Sequence, residues 1–420
     1  MSKKICIIGG GYVGLPLAVA FAEYFSVIVL TKTKAHAEEL SKGIDRTQAF
    51  SSDELRRHPI IFTSDISNTS DATVYIVTVP TPIYDDYTPD LSPVEDATKS
   101  IASVLKKDDI VIYESTVFIG CTEEFCAPLL EQKSGLKFNK DFFCGFSPER
   151  INPSDTERTI HTVVKIIAGS TPPITEQMKE MYGKIIHAGL HIAPSIKVAE
   201  ASKLIENIQR DVNIALMNEL SPLFKVLGIN TNDVINAAST KWNFQPYRPG
   251  LVGGHCIGVD PYYMLYNGEK QNIPLPLIAL ARKTNNAMSH YVVDSTLELL
   301  RQHSIKPSDA NILMLGITFK ENCPDIRNSQ SARIFSALKA AVNTIDLCDP
   351  IADQQEVYRV YEIRTIPMAD LKPKRYDAVI ITVAHTLYKT LEIQKLLLQE
   401  NGIIIDLKGL LPLGKSSFTL

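Results

Sequence analysis

The first 150 residues alternate short aliphatic runs with segments of helical periodicity. KICII predicts a strand that leads through a glycine-rich turn into the apolar helix ending AVAFAEY, and SVIVL, ATVYIVTVP and DIVIYEST predict further strands. Aliphatic runs separated by helices are typical of a parallel sheet buried on both faces. Ligands of such sheets bind at the carboxyl ends of the strands. Here those ends are residues 9–14, 78–82 and 115–116.

The pattern changes near Pro194, where helical periodicity takes over. Residues 195–228 and 276–303 each predict a long helix, and strand patterns return in NILMLGITF, NTIDLCDP, YDAVIITVAH and NGIIIDLKG. The tail therefore resembles the first segment, without its glycines. We predict an α/β protein in which two doubly wound, Rossmann-like parallel-sheet domains, 1–194 and 306–420, are joined by a central helical domain, 195–305.

Composition narrows the function classes. The 420 residues carry a net charge of −4 and no Lys/Arg run, which disfavours nucleic-acid or membrane-surface binding. The seven cysteines are scattered without a C-x-x-C pair, so neither a disulfide framework nor a metal site is predicted. Lys3 and Lys4 precede an apolar stretch resembling a signal peptide, but its glycines and the strand that follows favour a nucleotide-binding unit. No apolar run reaches about 18–20 residues. These features predict a cytoplasmic protein.

The hexapeptide GGGYVG, residues 9–14, fits G-x-G-x-x-G between a strand and a helix. Such glycines allow the backbone and the helix N-terminus to approach a pyrophosphate, which predicts dinucleotide binding; the alternative is a merely tight turn. The second strand of such a unit usually ends in an acidic residue that binds the adenosine ribose hydroxyls. Here Thr31 stands at that position, with Lys32 and Lys34 beside it. NAD is favoured, and NADP is not excluded because lysines could accept a 2′-phosphate.

Three further places hold candidate chemistry. Lys203, Asn207 and Arg210 follow i, i+4, i+7 spacing and share one helix face, which is either solvated or turned into a cleft. In the loop SPERINP, Glu149 and Arg150 form either an ordinary ion pair or part of a site.

Cys256 lies in RPGLVGGHCIGVDPYY, behind two glycines and four residues before an aspartate. It is either a small buried hydrophobe or a nucleophile. His255 is adjacent in sequence and would normally point elsewhere, so the residues alone leave both interpretations open.

Together the motifs GGGYVGLPLA, VTVPTP, ESTV, SPERINP, KLIENIQRDVN, GGHCIGVDPYY and GITFKENCPDIRNS resemble the UDP-glucose/GDP-mannose dehydrogenase family in the family's order. Cys-Ile-Gly-Val-Asp is similar to the branch that acts on UDP-N-acetylglucosamine or UDP-N-acetylgalactosamine; UDP-glucose dehydrogenases usually have Cys-Pro-Lys-Asp. The resemblance implies an NAD-binding first domain, a dimerising central domain and a UDP-binding last domain. It also implies four-electron oxidation of the sugar at C6, a role in surface-polysaccharide biosynthesis, and a homodimer.

The resemblance also implies residue roles. The catalytic set would be Cys256, Lys203, Asp260, Glu149, Asn207 and Thr116. The cofactor would contact Gly9, Gly11, Tyr12, Val13, Gly14, Thr31, Thr81, Thr116 and Arg327. The UDP-sugar would contact Glu149, Arg150, Ile151, Lys203, Asn207, Arg210, Arg248, Gly253, Phe319 and Lys320.

Three departures from the family pattern stand out: Thr31 replaces the ribose-binding acid, Ile119 replaces a proline, and Cys121 replaces a small residue or threonine. Three alternatives also stay open. UDP-glucose 6-dehydrogenase is the nearest. A β-hydroxyacid dehydrogenase would share the first two domains but would not need Cys256, and a UDP-sugar sensor would bind without turnover.

Overall fold

The computed structural model describes residues 3–47, 49–151, 158–254, 257–412 and 414–420. The chain forms two compact units. The first comprises residues 1–206 and 262–273, and the second comprises 207–261 and 274–420. In the described ranges, no helix is long and apolar enough to cross a membrane.

The first unit is built on one eight-stranded sheet. Its strands are β1 (Lys4–Ile8), β2 (Ser26–Leu30), β3 (Ile60–Thr63), β4 (Val74–Val77), β5 (Ile110–Tyr113), β6 (Phe143–Phe146), β7 (Lys165–Gly169) and β8 (Leu190–Ile192). Its helices are α1 (Gly14–Ala22), α2 (Lys34–Ser41), α3 (Ser52–Arg57), α4 (Ser92–Ala102), α5 (Ala127–Ser134) and α6 (Pro172–Ile185). A π-helical turn, Thr122–Cys126, leads into α5.

The strand order β3-β2-β1-β4-β5-β6-β7-β8 places the ends of β1, β4 and β5 side by side. All neighbours are parallel except β6 and β7. Ile8 pairs with Leu30 on one side and Val77 on the other, so the turns that follow these strands meet at one edge. The strands are almost wholly aliphatic because helices cover both faces of a sheet of this kind.

Four helices follow: α7 (Ile196–Val226), α8 (Thr231–Ala238), α9 (Asp260–Lys270) and α10 (Pro276–Gln302). The two long predicted helices are confirmed, and α7 continues through Pro222. The unit boundary at residues 206 and 207 falls inside α7, and α9 begins in the second unit before entering the first. Single helices therefore contribute residues to both units.

The second unit contains a four-stranded parallel sheet of order β10-β9-β11-β12. Its strands are β9 (Asn311–Leu315), β10 (Thr344–Cys348), β11 (Ala378–Ile381) and β12 (Ile403–Asp406), and its further helices are α11 (Gln330–Lys339), α12 (Gln354–Tyr361) and α13 (Ile393–Leu396). All four predicted strands are present. Helix α10 packs on this sheet through Met288, Val292 and Leu300.

The predicted fold class, two parallel-sheet regions with helices between them in sequence, is confirmed. The division at residues 194 and 305 stays a prediction. The sequence patterns did not indicate the antiparallel pairing of β6 with β7, because alternation of apolar residues reports burial and not strand direction.

Candidate active site

The glycine turn links β1 to α1 in the first unit. Gly9 has φ +112°, and a Cβ on Gly14 would lie 1.9 Å from the Gly9 carbonyl oxygen, so both positions require glycine for the turn itself. A Cβ on Gly11 would meet no atom within 4 Å. The space beside Gly11 is therefore open to a ligand. The N-cap residue of α1, Val13, offers no side-chain hydrogen bond, so no side chain of the N-cap covers the helix N-terminus, and Leu15 donates its N–H to the Gly11 carbonyl at 3.0 Å.

These features fit the pyrophosphate of NAD. Thr78, at the end of β4, donates its hydroxyl to the carbonyl groups of Ile8 and Gly9 at 3.0 and 3.1 Å and fixes the start of the turn. Tyr12 is half-buried beside Gly11. The helix N-terminus, rather than a basic side chain, would bind the phosphates.

Thr31 directly follows β2 and is only 3 % exposed. Its hydroxyl donates to the carbonyl of Thr33 at 2.9 Å and lies 3.4 Å from that of Thr63. Lys32 and Lys34 are exposed, and Lys34 lies 3.9 Å from Glu38. The Thr31 hydroxyl proton is thus already used within the protein, so a ribose hydroxyl could only donate to this side chain.

The other strand ends carry Thr81 and Thr116. Thr81 is buried and Thr116 is half-buried. Among the described residues, none is hydrogen-bonded to the Thr116 hydroxyl. That hydroxyl is available to a ligand or a water molecule.

Glu149 and Lys203 lie together in the first unit. The Lys203 Nζ donates to the main-chain carbonyl of Glu149 at 2.8 Å. The Glu149 Oε1 accepts the N–H groups of Arg150 and Ile151 at 2.7 and 2.5 Å, so its carboxylate shapes its own loop. Arg150 in turn pairs with Glu206 of α7 at 2.9 Å. The structure thus brings Lys203 and Glu149 together, through the glutamate's main chain.

A buried ion pair between Glu114 and Lys165 lies next to the loop that contains Glu149. Glu114, at the end of β5, accepts from the Lys165 Nζ at 2.8 Å and from the Tyr182 hydroxyl. Lys165 also lies 3.4 Å from the carbonyl of Pro148, next to Glu149 in sequence. Burial raises the pKa of Glu114, and the neighbouring Lys165 opposes that rise.

Asn207 and Asp260 lie together in the second unit. The Asn207 Nδ2 donates to the Asp260 Oδ2 at 2.6 Å, and the two residues are 8 % and 2 % exposed. Asn207 therefore belongs to a buried pair, while Arg210, predicted on the same face of α7, is exposed. The amide orients the carboxylate at the first residue of α9.

The segment before Cys256 is held by other parts of the second unit. The Asn218 side chain pairs with both main-chain groups of Gly250, at 2.8 and 3.0 Å. A Cβ on Gly254 would lie 2.6 Å from the Phe319 ring, and the Asn328 amide donates to the Gly254 carbonyl at 3.2 Å. A Cβ on Gly253 would lie 2.7 Å from the Asn328 carbonyl. These contacts leave no room for a side chain at residues 253 and 254.

Cys256 itself lies outside the described residues, as does His255. Three other predicted residues have local roles in the second unit. Arg248 donates to Asn232 and, at 2.8 Å, to Asn236. Arg327 pairs with Asp325. The Lys320 Nζ lies 5.6 Å from the centre of the Phe319 ring.

A cavity of about 270 Å³ lies near these residues in the second unit. Its lining includes Arg248, Gly250, Leu251, Glu321 and Lys408. The lining thus carries two basic side chains and one acidic one, with polar and apolar groups between them, and the two basic side chains could contact an anionic ligand of moderate size.

Several contributors gave no recognisable sequence signal: Lys165, Asn218 and Lys408. Lys165 and Asn218 act through partners distant in sequence; Asn218 and Gly250, for example, are 32 residues apart. Glu114 was visible only as an acid at the end of an aliphatic run. Six cysteines, Cys6, Cys121, Cys126, Cys144, Cys323 and Cys348, are free and buried.

Comparisons with known proteins identify the family. Models of the UDP-glucose/GDP-mannose dehydrogenase family match residues 3–186 (NAD binding domain), 197–287 (central domain) and 313–412 (UDP binding domain). The chain is 45% identical to UDP-N-acetyl-D-glucosamine 6-dehydrogenase of Pseudomonas aeruginosa, covering 99% of each protein. It is 44% identical to the protein of that name from Salmonella typhi, covering 99% of this chain and 98% of the relative.

A solved structure supports the same assignment. UDP-D-ManNAc dehydrogenase from Pyrococcus horikoshii superposes with a TM-score of 0.90 at 28% identity, covering 99% of this chain and 98% of that one. The glycine turn, the order of the motifs and these full-length matches all indicate the same family. The chain belongs to the UDP-glucose/GDP-mannose dehydrogenase family and is an NAD-dependent nucleotide-sugar dehydrogenase.

Proposed function

We propose that this enzyme oxidises a UDP-N-acetylhexosamine at C6 to the corresponding uronic acid, with UDP-N-acetylglucosamine as the first candidate. The observation that carries the proposal is the 45% identity, over 99% of both chains, to a protein named UDP-N-acetyl-D-glucosamine 6-dehydrogenase. UDP-glucose is the alternative substrate. The product would supply a surface polysaccharide.

The proposed reaction removes four electrons in two oxidations. NAD, when bound at the glycine turn, accepts one hydride from C6 in each. After the first, the C6 alcohol has become an aldehyde, and the Cys256 thiolate adds to its carbon to give a thiohemiacetal. Loss of the second hydride gives a thioester, and water then displaces the thiolate to release the carboxylate. Covalent capture retains the aldehyde between the two oxidations.

Lys203 and Asp260 would transfer protons and stabilise the oxyanions. A lysine ammonium has three N–H donors, and the bond to the Glu149 carbonyl uses one, leaving two for a substrate oxygen. The bond from Asn207 holds Asp260 in one orientation.

Glu149 and Thr116 would act in thioester hydrolysis. Among the described residues, none is bonded to the Glu149 Oε2, although Oε1 is used by the loop. That second oxygen can accept a proton from the attacking water, and the Thr116 hydroxyl would orient the water.

The uridine diphosphate would bind in the second unit. Arg248 and Lys408 line the cavity of about 270 Å³ there and would neutralise the diphosphate. Phe319 and Lys320 would contact the nucleotide, with Gly253 and Arg210 on the sugar-phosphate side. Arg327 would approach the cofactor.

We also propose a homodimer formed through the central helices. Four leucines on α7 and α10 of the second unit are each more than half exposed: Leu216, Leu223, Leu277 and Leu280. Apolar side chains exposed in this number on neighbouring helices indicate a contact surface. The buried free thiols are compatible with a reducing compartment, and we propose the cytoplasm.

A screen for cofactor reduction tests the proposal. Purified enzyme is mixed with NAD or NADP and, separately, with UDP-N-acetylglucosamine, UDP-N-acetylgalactosamine, UDP-N-acetylmannosamine and UDP-glucose. We expect the highest kcat/KM with UDP-N-acetylglucosamine and NAD, and two reduced cofactors per acid formed. A preference for UDP-glucose would refute the sugar, a ratio of one would refute the second oxidation, and binding without turnover would indicate a sensor.

A further inference from the structure

The loop of residues 117–122, which follows Thr116, is held in place by side chains of two helices in the first unit. The Asn267 side chain of α9 accepts the Ile119 N–H at 2.8 Å and donates to the Ile119 carbonyl at 3.0 Å. The Glu200 carboxylate of α7 accepts the N–H groups of Gly120 and Thr122 at 2.6 and 3.0 Å. Four main-chain groups of one short loop are therefore bonded to two side chains.

Asn267 provides a physical account of Ile119. Where the family pattern has proline, the main chain has no N–H to satisfy. Isoleucine at this position introduces a donor within a partly buried loop, and an unpaired donor there would be costly. The side-chain amide of Asn267 matches both polar groups of residue 119. Asn267 thus supplies the acceptor that the N–H of Ile119 needs in place of the proline.

Glu200 is a buried carboxylate, with 0% of its surface exposed. Its bonds satisfy N–H groups at the start of the π-helical turn, where no preceding carbonyl can reach them. Burial raises its pKa to about 7, and the two main-chain N–H groups oppose that rise. The ionisable groups near it are Cys121, Glu123, Glu124, Lys197 and Lys270, of which Lys197 pairs with Glu124 at 2.6 Å.

We propose that Glu200 and Asn267 are positioning residues, which fix Thr116 relative to Lys203 by holding the 117–122 loop. Glu200 precedes Lys203 by three residues on α7, so the two belong to the same helical turn. The loop after Thr116 is thereby attached to the turn that carries the lysine. The inference rests on the proposed function, because that function assigns Thr116 and Lys203 to the active site.

The first test is a double-mutant cycle on residues 119 and 267. We expect Asn267→Ala to lower kcat roughly 10- to 100-fold, since small misplacements of catalytic groups have effects of this size. In an Ile119→Pro background, which has no N–H to bind, Asn267→Ala should lower kcat much less. Equal effects in both backgrounds would overturn the proposed pairing.

The second test uses pH. A carboxylate can accept both N–H groups, whereas protonated Glu200 presents one O–H to a donor and loses a bond. We expect wild-type kcat to decrease as the pH falls below about 7. Glu200→Gln should have the reduced kcat of acidic wild type at every pH and should not show this decrease. Glu124→Gln, the same change at an exposed position, is the control and should match wild type. A Glu200→Gln variant with wild-type kcat and pH profile would overturn the proposal.

The third measurement does not depend on turnover. Hydrogen exchange of the amides of Ile119, Gly120 and Thr122 should be faster in Glu200→Gln and Asn267→Ala than in wild type, with NAD affinity retained as evidence of folding. Unchanged exchange would refute the positioning roles. If wild type oxidises no UDP-sugar, the proposed function fails, and this measurement still decides whether the two side chains hold the loop.

Discussion

Replacing Gly11 by alanine separates the needs of the turn from those of the cofactor. A Cβ at residue 11 meets no protein atom within 4 Å, and Gly11 is not among the glycines with positive φ. The free protein should therefore fold normally, with the free energy of unfolding unchanged or higher by roughly 0.4–1 kcal/mol, because alanine restricts the unfolded chain.

NAD binding should respond very differently. The added methyl group would occupy the space through which a pyrophosphate approaches the N–H groups at the start of α1. Loss of two hydrogen bonds to charged oxygens, at roughly 1.5–3 kcal/mol each, amounts to roughly 3–6 kcal/mol. We expect the Kd for NAD to rise roughly 10²- to 10⁴-fold.

Calorimetric titration gives the Kd, and thermal unfolding with and without NAD gives the stabilisation by the bound cofactor. Gly14→Ala is the contrasting variant: its Cβ would lie 1.9 Å from a carbonyl oxygen, so it should lower the melting temperature even without NAD. Gly183→Ala on α6 is the control: its Cβ would lie 4.0 Å from Leu190, so neither the Kd for NAD nor the melting temperature should change greatly. If Gly11→Ala binds NAD as tightly as wild type, the pyrophosphate does not lie at this turn.

Three further outcomes follow from the buried groups and the proposed nucleophile. Cys256→Ser should still be stabilised by NAD and UDP-sugar but should lower acid formation, measured by chromatography, by at least roughly 10³-fold; near-normal acid would exclude the covalent route. Lys165→Met should lower the free energy of unfolding in urea by roughly 3–5 kcal/mol, because Glu114 is left buried without its cation. Adding Glu114→Gln should recover much of the loss, and no recovery would contradict the pairing. Because the folded pKa of Glu200 is about 7 against 4.5 for an ordinary glutamate, its contribution to stability is full below pH 4.5 and lost as pH rises through 7. Urea titrations should find wild type losing roughly 3 kcal/mol relative to Glu200→Gln between pH 4.5 and pH 8, and parallel curves would refute the assignment.

The sequence was sufficient for features that depend on local spacing. The glycine turn after β1 and the two long helices could be predicted because each pattern is contained in one continuous segment. Strand ends at Thr78 and Ser115 could be placed at one edge because parallel strands share a direction.

Features that depend on partners distant in sequence could not be predicted. Asn267 and Ile119 are 148 residues apart, and an asparagine within a polar helical stretch is unremarkable by itself. The one available signal was Ile119: an N–H in place of a proline needs an acceptor, although the sequence does not identify which side chain supplies it. Burial of Thr31 was also invisible, because a threonine at a strand end is compatible with either orientation.

The six described cysteines have a practical consequence for chemical labelling. All six are 0% exposed, and burial raises the pKa of Cys6 and of Cys348 to about 12, so these two stay in the unreactive thiol form. A maleimide applied briefly to the native protein should therefore modify none of the six, and intact-mass spectrometry should find at most one adduct per chain, at Cys256. A single adduct would therefore identify Cys256 as the labelled thiol, without removal of any other cysteine.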